Sequence, residues 1–169
     1  MAVEILEFDL GGELYAMDIG IAREIVEMLP ITPIPRAPAH VSGLLNLRGE
    51  ITTIINLHYI LGIKSVKDLK EQKIMVLVPD AFENTSVGVI VDEVHSVLTI
   101  EDDQIDMNIH GVAEGLSDFV QGIIKLGVEE SVKSEKESED HDGEKRLIIW
   151  IDVKKILTGT TESPSSVQE

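Results

Sequence analysis

The sequence predicts an all-β chain with a few short helices, folded as two small five-stranded barrels packed together, and three observations carry that prediction. Within 169 residues there are 22 Ile and 17 Val against 16 Leu, a bias toward branched side chains that pack well on a pleated surface. The apolar runs are short and are separated by glycine, proline and acidic turns. The third observation is an internal echo. Gly43-Leu44-Leu45-Asn46-Leu47 followed by Ile54-Ile55-Asn56-Leu57-His58-Tyr59-Ile60-Leu61 resembles Gly122-Ile123-Ile124-Lys125-Leu126 followed by Ile148-Ile149-Trp150-Ile151-Asp152-Val153-Lys154-Lys155-Ile156-Leu157. Each half ends in a strand and then an amphipathic turn, and two similar sets of short strands suit small barrels, which remove their own sheet edges by closing.

Val3 to Leu10 and Glu13 to Ile19 flank Gly11-Gly12, the punctuation of a tight hairpin. Arg23 to Met28 reads as the next strand. Pro30, Pro33, Pro35 and Pro38 follow; their fixed φ and missing amide hydrogens rule out a central strand or a helix, so this segment is an extended loop. A short helix is expected around Ala39 to Val41. Gly43 to Leu47 and Glu50 to Asn56 then flank Arg48-Gly49 as a second hairpin. Lys73 to Val78, Ser86 to Val91, Val94 to Ile100, Val120 to Leu126 and Arg146 to Ile151 complete a set of ten strands, and Val153 to Leu157 forms a closing helical turn. Residues 1–158 therefore read as one unit of two barrels divided near 64–72, with the N-terminal strand able to cross over. Residues 129–146 hold eight acidic and four basic side chains and almost no large apolar group, so a flexible acidic loop is expected to interrupt the second copy. A disordered tail is expected over 159–169.

Composition narrows the function. A hydrophobic content of 43% is enough to bury a core. No apolar run approaches the roughly 20 residues that cross a bilayer, and Met1-Ala2-Val3-Glu4 lacks the basic and apolar regions of a signal peptide, so a cytoplasmic protein without direct membrane insertion is expected. A formal charge of −17 repels phosphate backbones, and no local basic patch offsets it, which argues against nucleic acid as a partner. With no cysteine there are no disulfides, thiolate metal sites or thiol nucleophiles.

Catalytic signatures are missing. His40, His58, His95, His110 and His141 lie at least 15 positions apart, so no pair has the spacing of a helical metal site. No G-x-S-x-G, G-x-x-x-x-G-K or G-x-G-x-x-G motif occurs. Glu101-Asp102-Asp103 with Asp106 lacks the glycine-punctuated geometry of an EF-hand and reads as a surface turn or helix start. Asp92-Glu93, between two strands, reads as an acidic turn rather than as an acid/base pair. No cofactor, no metal and no enzyme activity are expected.

The most specific stretch is Asn46-Leu47-Arg48-Gly49. Gly49 permits a positive φ in a tight connection, and Arg48 would project a five-donor fork from a rigid hairpin tip, suited to a carboxylate on another protein. Taken with Phe8 to Ile25, the run Pro38-Ala-His-Val-Ser-Gly-Leu-Leu-Asn-Leu-Arg-Gly49, the block Val87-Gly-Val-Ile-Val-Asp-Glu-Val-His-Ser-Val-Leu98 and Gln121-Gly-Ile-Ile-Lys-Leu126, the chain resembles the CheW family of chemotaxis coupling proteins over about residues 4 to 157.

That resemblance implies two five-stranded barrels related to the Src-homology-3 barrel. It also implies an adaptor with no catalysis of its own, which couples the cytoplasmic tips of methyl-accepting chemoreceptors to the histidine kinase CheA. Such a protein is cytoplasmic and is recruited to receptor arrays at the inner face of the membrane. Carried over by position, the receptor-binding residues fall on Arg48, Glu24, Ala22 and Asn46, and contact with the kinase's regulatory domain falls on Gly43, Leu44 and Val41. Exposed apolar residues near Gly43 would supply anchor area, although Leu44 fits the core equally well. Thr53 replaces a common proline, and Asn56 and His58 stand where aspartate and arginine are frequent, departures that bear on partner specificity. Two other readings compete. A CheV-type domain would carry a receiver, but only a short polar tail follows Leu157. A small metal-dependent enzyme would need a pocket assembled from scattered Asp, Glu and His.

Overall fold

The computed structural model describes residues 2–79, 84–107, 119–126 and 146–161, with side chains described up to Thr158. In chain order the strands are β1 (Val3–Leu10), β2 (Glu13–Asp18), β3 (Ala22–Glu27), β4 (Val41–Leu47), β5 (Glu50–Asn56), β6 (Lys73–Leu77), β7 (Val87–Val91), β8 (Glu93–Ile100), β9 (Ile105–Asp106), β10 (Val120–Leu126) and β11 (Arg146–Ile151). Two helices, α1 (Leu57–Leu61) and α2 (Val153–Thr161), follow β5 and β11. Both expected hairpins are present, and the fold is all-β with two sheets. One has six strands in the order β8-β1-β2-β11-β10-β9, the other five in the order β3-β6-β7-β5-β4. The chain passes from the first sheet to the second across 19–21 and returns at Asp92, between β7 and β8.

Period-2 alternation places each strand's side chains in separate cores. From β1, Leu6, Phe8 and Leu10 enter a large cluster between the sheets, whereas Ile5 enters a small cluster with Ala16, Ile100, Ile124 and Ile148. From β6, Met75 and Leu77 join the intersheet cluster and Ile74 and Val76 join a third, with Leu45, Ile54 and Ile90. β7 is buried on both faces, which is why it carries no polar side chain. The small cluster of the six-stranded sheet also holds a charge: Glu7, only 1% exposed, meets the Arg146 guanidinium at the start of β11. Arg146 thereby ties the far end of the expected 129–146 insertion to β1; residues 129–145 lie outside the described residues.

Some local expectations change. Ala39 and His40 form a turn rather than a helix, because the Val41 amide bonds to the Pro38 carbonyl and the His40 carbonyl accepts from Asn56, drawing the chain into β4. The acidic stretch after β8 is a helix start as expected, a 3₁₀ turn at Asp102–Gln104 with a reciprocal Glu101/Gln104 capping box. It leads into β9, an eleventh strand of two residues. The last helix runs through Thr161, past the point where the tail is expected to begin. Asp152 Oδ1 accepts from the Lys155 amide at its start, Ile156 and Leu157 are buried, and Thr158 Oγ1 bonds back to the Lys154 carbonyl. Residues 162–169 lie outside the described residues.

Candidate protein-docking site

The β4–β5 hairpin carries the arginine. Arg48 and Gly49 have φ of 50° and 85°, both in the left-handed region that a two-residue hairpin turn requires. Asn46 secures the turn by accepting the Gly49 amide on Oδ1 at 2.9 Å. Arg48 is 69% exposed, and its Nη2 meets Glu24 Oε1 from β3. A second pair runs the other way: Arg23 Nη1 lies 3.3 Å from Glu50 Oε2. The hairpin tip is thus tied to β3 by crossed ion pairs, each segment supplying one cation and one anion.

Of the four expected receptor-binding residues, Arg48, Glu24 and Asn46 meet at this tip, whereas Ala22 packs against the intersheet core. Sequence reading missed Arg23 and Glu50, and also the exposed Ile25 and Ile51. Alternation along β3 was the available signal, since Arg23, Ile25 and Glu27 share the outward parity.

The expected kinase-binding residues serve the fold as well. The bridge between Thr32 and Leu44, with N–H to O distances of 2.9 and 2.8 Å in the two directions, lays the proline-rich segment along the outer edge of β4. Gly43 allows this: its φ is 149°, and a Cβ there would overlap the Thr32 carbonyl oxygen. Val41 is half-buried against the intersheet core, and Leu44 is half-buried. Gly43→Ala is accordingly expected to destabilise the chain by about 3 kcal/mol, read as a lower urea midpoint, because it adds backbone strain to a steric overlap.

Asp92 sits where the chain crosses between sheets. It is fully buried and accepts four hydrogen bonds: from the Gly11 amide (2.6 Å) and His58 Nε2 (3.0 Å) on Oδ2, and from Ser65 Oγ (2.6 Å) and Gln72 Nε2 (3.0 Å) on Oδ1. Burial alone would raise its pKa, but these donors outweigh that and hold it at about 2. Asp92 thus lies at a turn between two strands, but its partners lie 20 to 81 residues away. Ser, His and Asp meet here without the connectivity of a hydrolase triad: Ser65 bonds the carboxylate, not the imidazole.

The three departures from the family pattern each make a bond within the fold. Asn56 caps α1 by accepting the Tyr59 amide, and His58 is one of the donors to Asp92. The Thr53 amide donates to the Ser86 carbonyl at 3.0 Å, a bond proline cannot make. Among the described residues no group of His, Asp and Glu is placed to hold a metal ion. An apolar recess of about 90 Å³, lined by residues including Tyr15, Leu61, Ile63, Phe119, Ile123 and Ile149, is small against the ~300 Å³ or more of a cofactor site.

The family model described as the CheW-like domain matches residues 4–160. A chemotaxis protein CheW from Thermotoga maritima is 31% identical over 158 residues, covering 94% of this chain and 89% of the relative. The CheW of Treponema pallidum is 30% identical over 125 residues, covering 73% and 74%. The crystal structure of the scaffolding protein TtCheW from Thermoanaerobacter tengcongensis superposes with a TM-score of 0.69 at 29% identity, covering 92% of this chain and 88% of that one.

Proposed function

This chain belongs to the CheW family of chemotaxis coupling adaptors, and from that premise we propose that it joins the regulatory domain of the histidine kinase CheA to the cytoplasmic tips of chemoreceptors. Receptor docking centres on Arg48 at the hairpin tip, with Glu24 beneath it and Asn46 holding the turn. Kinase docking uses β4 around Val41, Gly43 and Leu44. The observation that carries the receptor assignment is the exposed Arg48 guanidinium, fixed on a left-handed turn and seated on Glu24. A rigid fork loses little freedom on docking, so it contributes orientation and specificity.

The adaptor works by contact and performs no catalysis. The Ser65, His58 and Asp92 cluster supports this: His58 and Asp92 are buried, and the serine and the imidazole are both committed to the carboxylate. We place the protein in the cytoplasm, recruited to receptor arrays at the inner face of the membrane; among the described residues no helix is long and apolar enough to cross a membrane. The kinase half is tested by titrating the chain against the regulatory domain of the cognate kinase by calorimetry, at two ionic strengths. Saturable one-to-one binding is the expected outcome, and Leu44→Glu is expected to weaken it at least about tenfold, with its urea midpoint measured alongside to separate lost contact from lost stability. No binding at either ionic strength would refute the kinase assignment.

A further inference from the structure

We propose that Arg23 is a second arginine of the docking patch and that the patch accepts two carboxylates from an acidic segment of the partner, a reading that rests on receptor docking at Arg48. The chain has 31 acidic against 14 basic side chains, yet two arginines from different elements reach the same hairpin tip, each seated on its own glutamate. Adjacent residues of β3, beside a register shift in its pairing with β6, supply both side chains: Arg23 reaches Glu50 and Glu24 reaches Arg48 at the tip.

Exposure sets the polarity of the patch. Arg48 is 69% exposed over a Glu24 that is 25% exposed, so the cation faces outward; Arg23 and Glu50 are level, at 42% and 45%. At the other end of β3 the order reverses, with Glu27 87% exposed over Lys73 at 27%, which confines the anion-accepting surface to the tip. A guanidinium carries five N–H donors, and each glutamate engages one nitrogen, so both arginines keep donors for an incoming carboxylate without leaving their seats.

The test titrates the full chain with a cytoplasmic tip fragment of a chemoreceptor from the same organism, at low and at physiological ionic strength. Arg23→Gln is expected to weaken binding about tenfold and to flatten its salt dependence, whereas Glu50→Gln, which releases Arg23, binds at least as tightly as the parent. Unfolding midpoints should stay close to the parent's, because exposed pairs contribute little stability. Equal weakening by Arg23→Gln and Glu50→Gln would mark the pair as merely structural and overturn the proposal. So would parent-like binding by Arg23→Gln alongside weakened binding by Arg48→Gln. Parent-like binding by Arg48→Gln would instead remove receptor docking from the tip altogether.

Discussion

Arg48→Glu is expected to lower affinity for the receptor tip roughly a hundredfold or more, equivalent to about 3 kcal/mol, while shifting unfolding stability by less than about 1 kcal/mol. The two effects separate because the Arg48 side chain is 69% exposed. Its replacement faces Glu24 across solvent, and like charges there cost no more than an exposed pair gains. At the interface the reversal sets a carboxylate against the partner's own anion, a desolvated repulsion far larger than the loss of one hydrogen bond. A second variant isolates the cause. Glu24→Arg combined with Arg48→Glu restores an ion pair between hairpin and β3 but inverts which charge faces outward. If docking depends on the outward cation, the double variant stays defective; if it depends only on hairpin rigidity, binding returns. Surface plasmon resonance with an immobilised receptor fragment distinguishes the two.

The largest effect on stability is expected at Asp92. Asp92→Ala strands four donors from the β1–β2 turn, α1 and the 62–72 connection, and the expected loss is about 4 kcal/mol, a large fraction of a small domain's stability. Trp150 is the single tryptophan and its indole donates to Asp18 at 2.9 Å across the β2–β11 junction, so its fluorescence reports unfolding in urea. Acid gives an independent reading of the same carboxylate. Its folded pKa is depressed from 3.8 to about 2, so its contribution is fully present above about pH 4 and is lost as pH falls toward 2. Asp92→Asn keeps the shape but cannot ionise, and it is expected to be less stable near neutrality with a shallower fall across that window. A parent-like acid profile for Asp92→Asn would show that the carboxylate is not what fastens the corner.

Short apolar runs rich in Ile and Val made most of the strands legible, and Gly11-Gly12 and Arg48-Gly49 marked the hairpins. The features that escaped depend on residues far apart in sequence. β9 is two residues long and exists through its pairing of Ile105 and Asp106 with β10, which no local pattern announces. Asp92 reads as an ordinary acidic turn until the fold brings Gly11, 81 positions away, onto its oxygen.

The β4–β5 hairpin shows the same division. Arg48 stands out because its motif is contiguous, and Glu24 is named because the resemblance carries it. Arg23 and Glu50 were missed because a crossed pair of salt bridges is written in two places 27 residues apart. Gly43 was noticed, but its physical role is to admit the Thr32 backbone against β4, a tertiary contact. Asn56 and His58 stand out in the sequence as departures, but sequence alone does not say what their side chains bond. In the fold one caps a helix and the other is buried against Asp92.

Coupling itself is measured most directly by reconstituting purified kinase with receptor fragments assembled on vesicles and following kinase autophosphorylation with and without this chain. Receptor control of the kinase is expected only when the chain is present, and it should disappear when Arg48→Glu replaces the parent at the same concentration. Equal receptor control in the absence of the chain, or undiminished control with Arg48→Glu, would contradict an adaptor that docks through the hairpin tip.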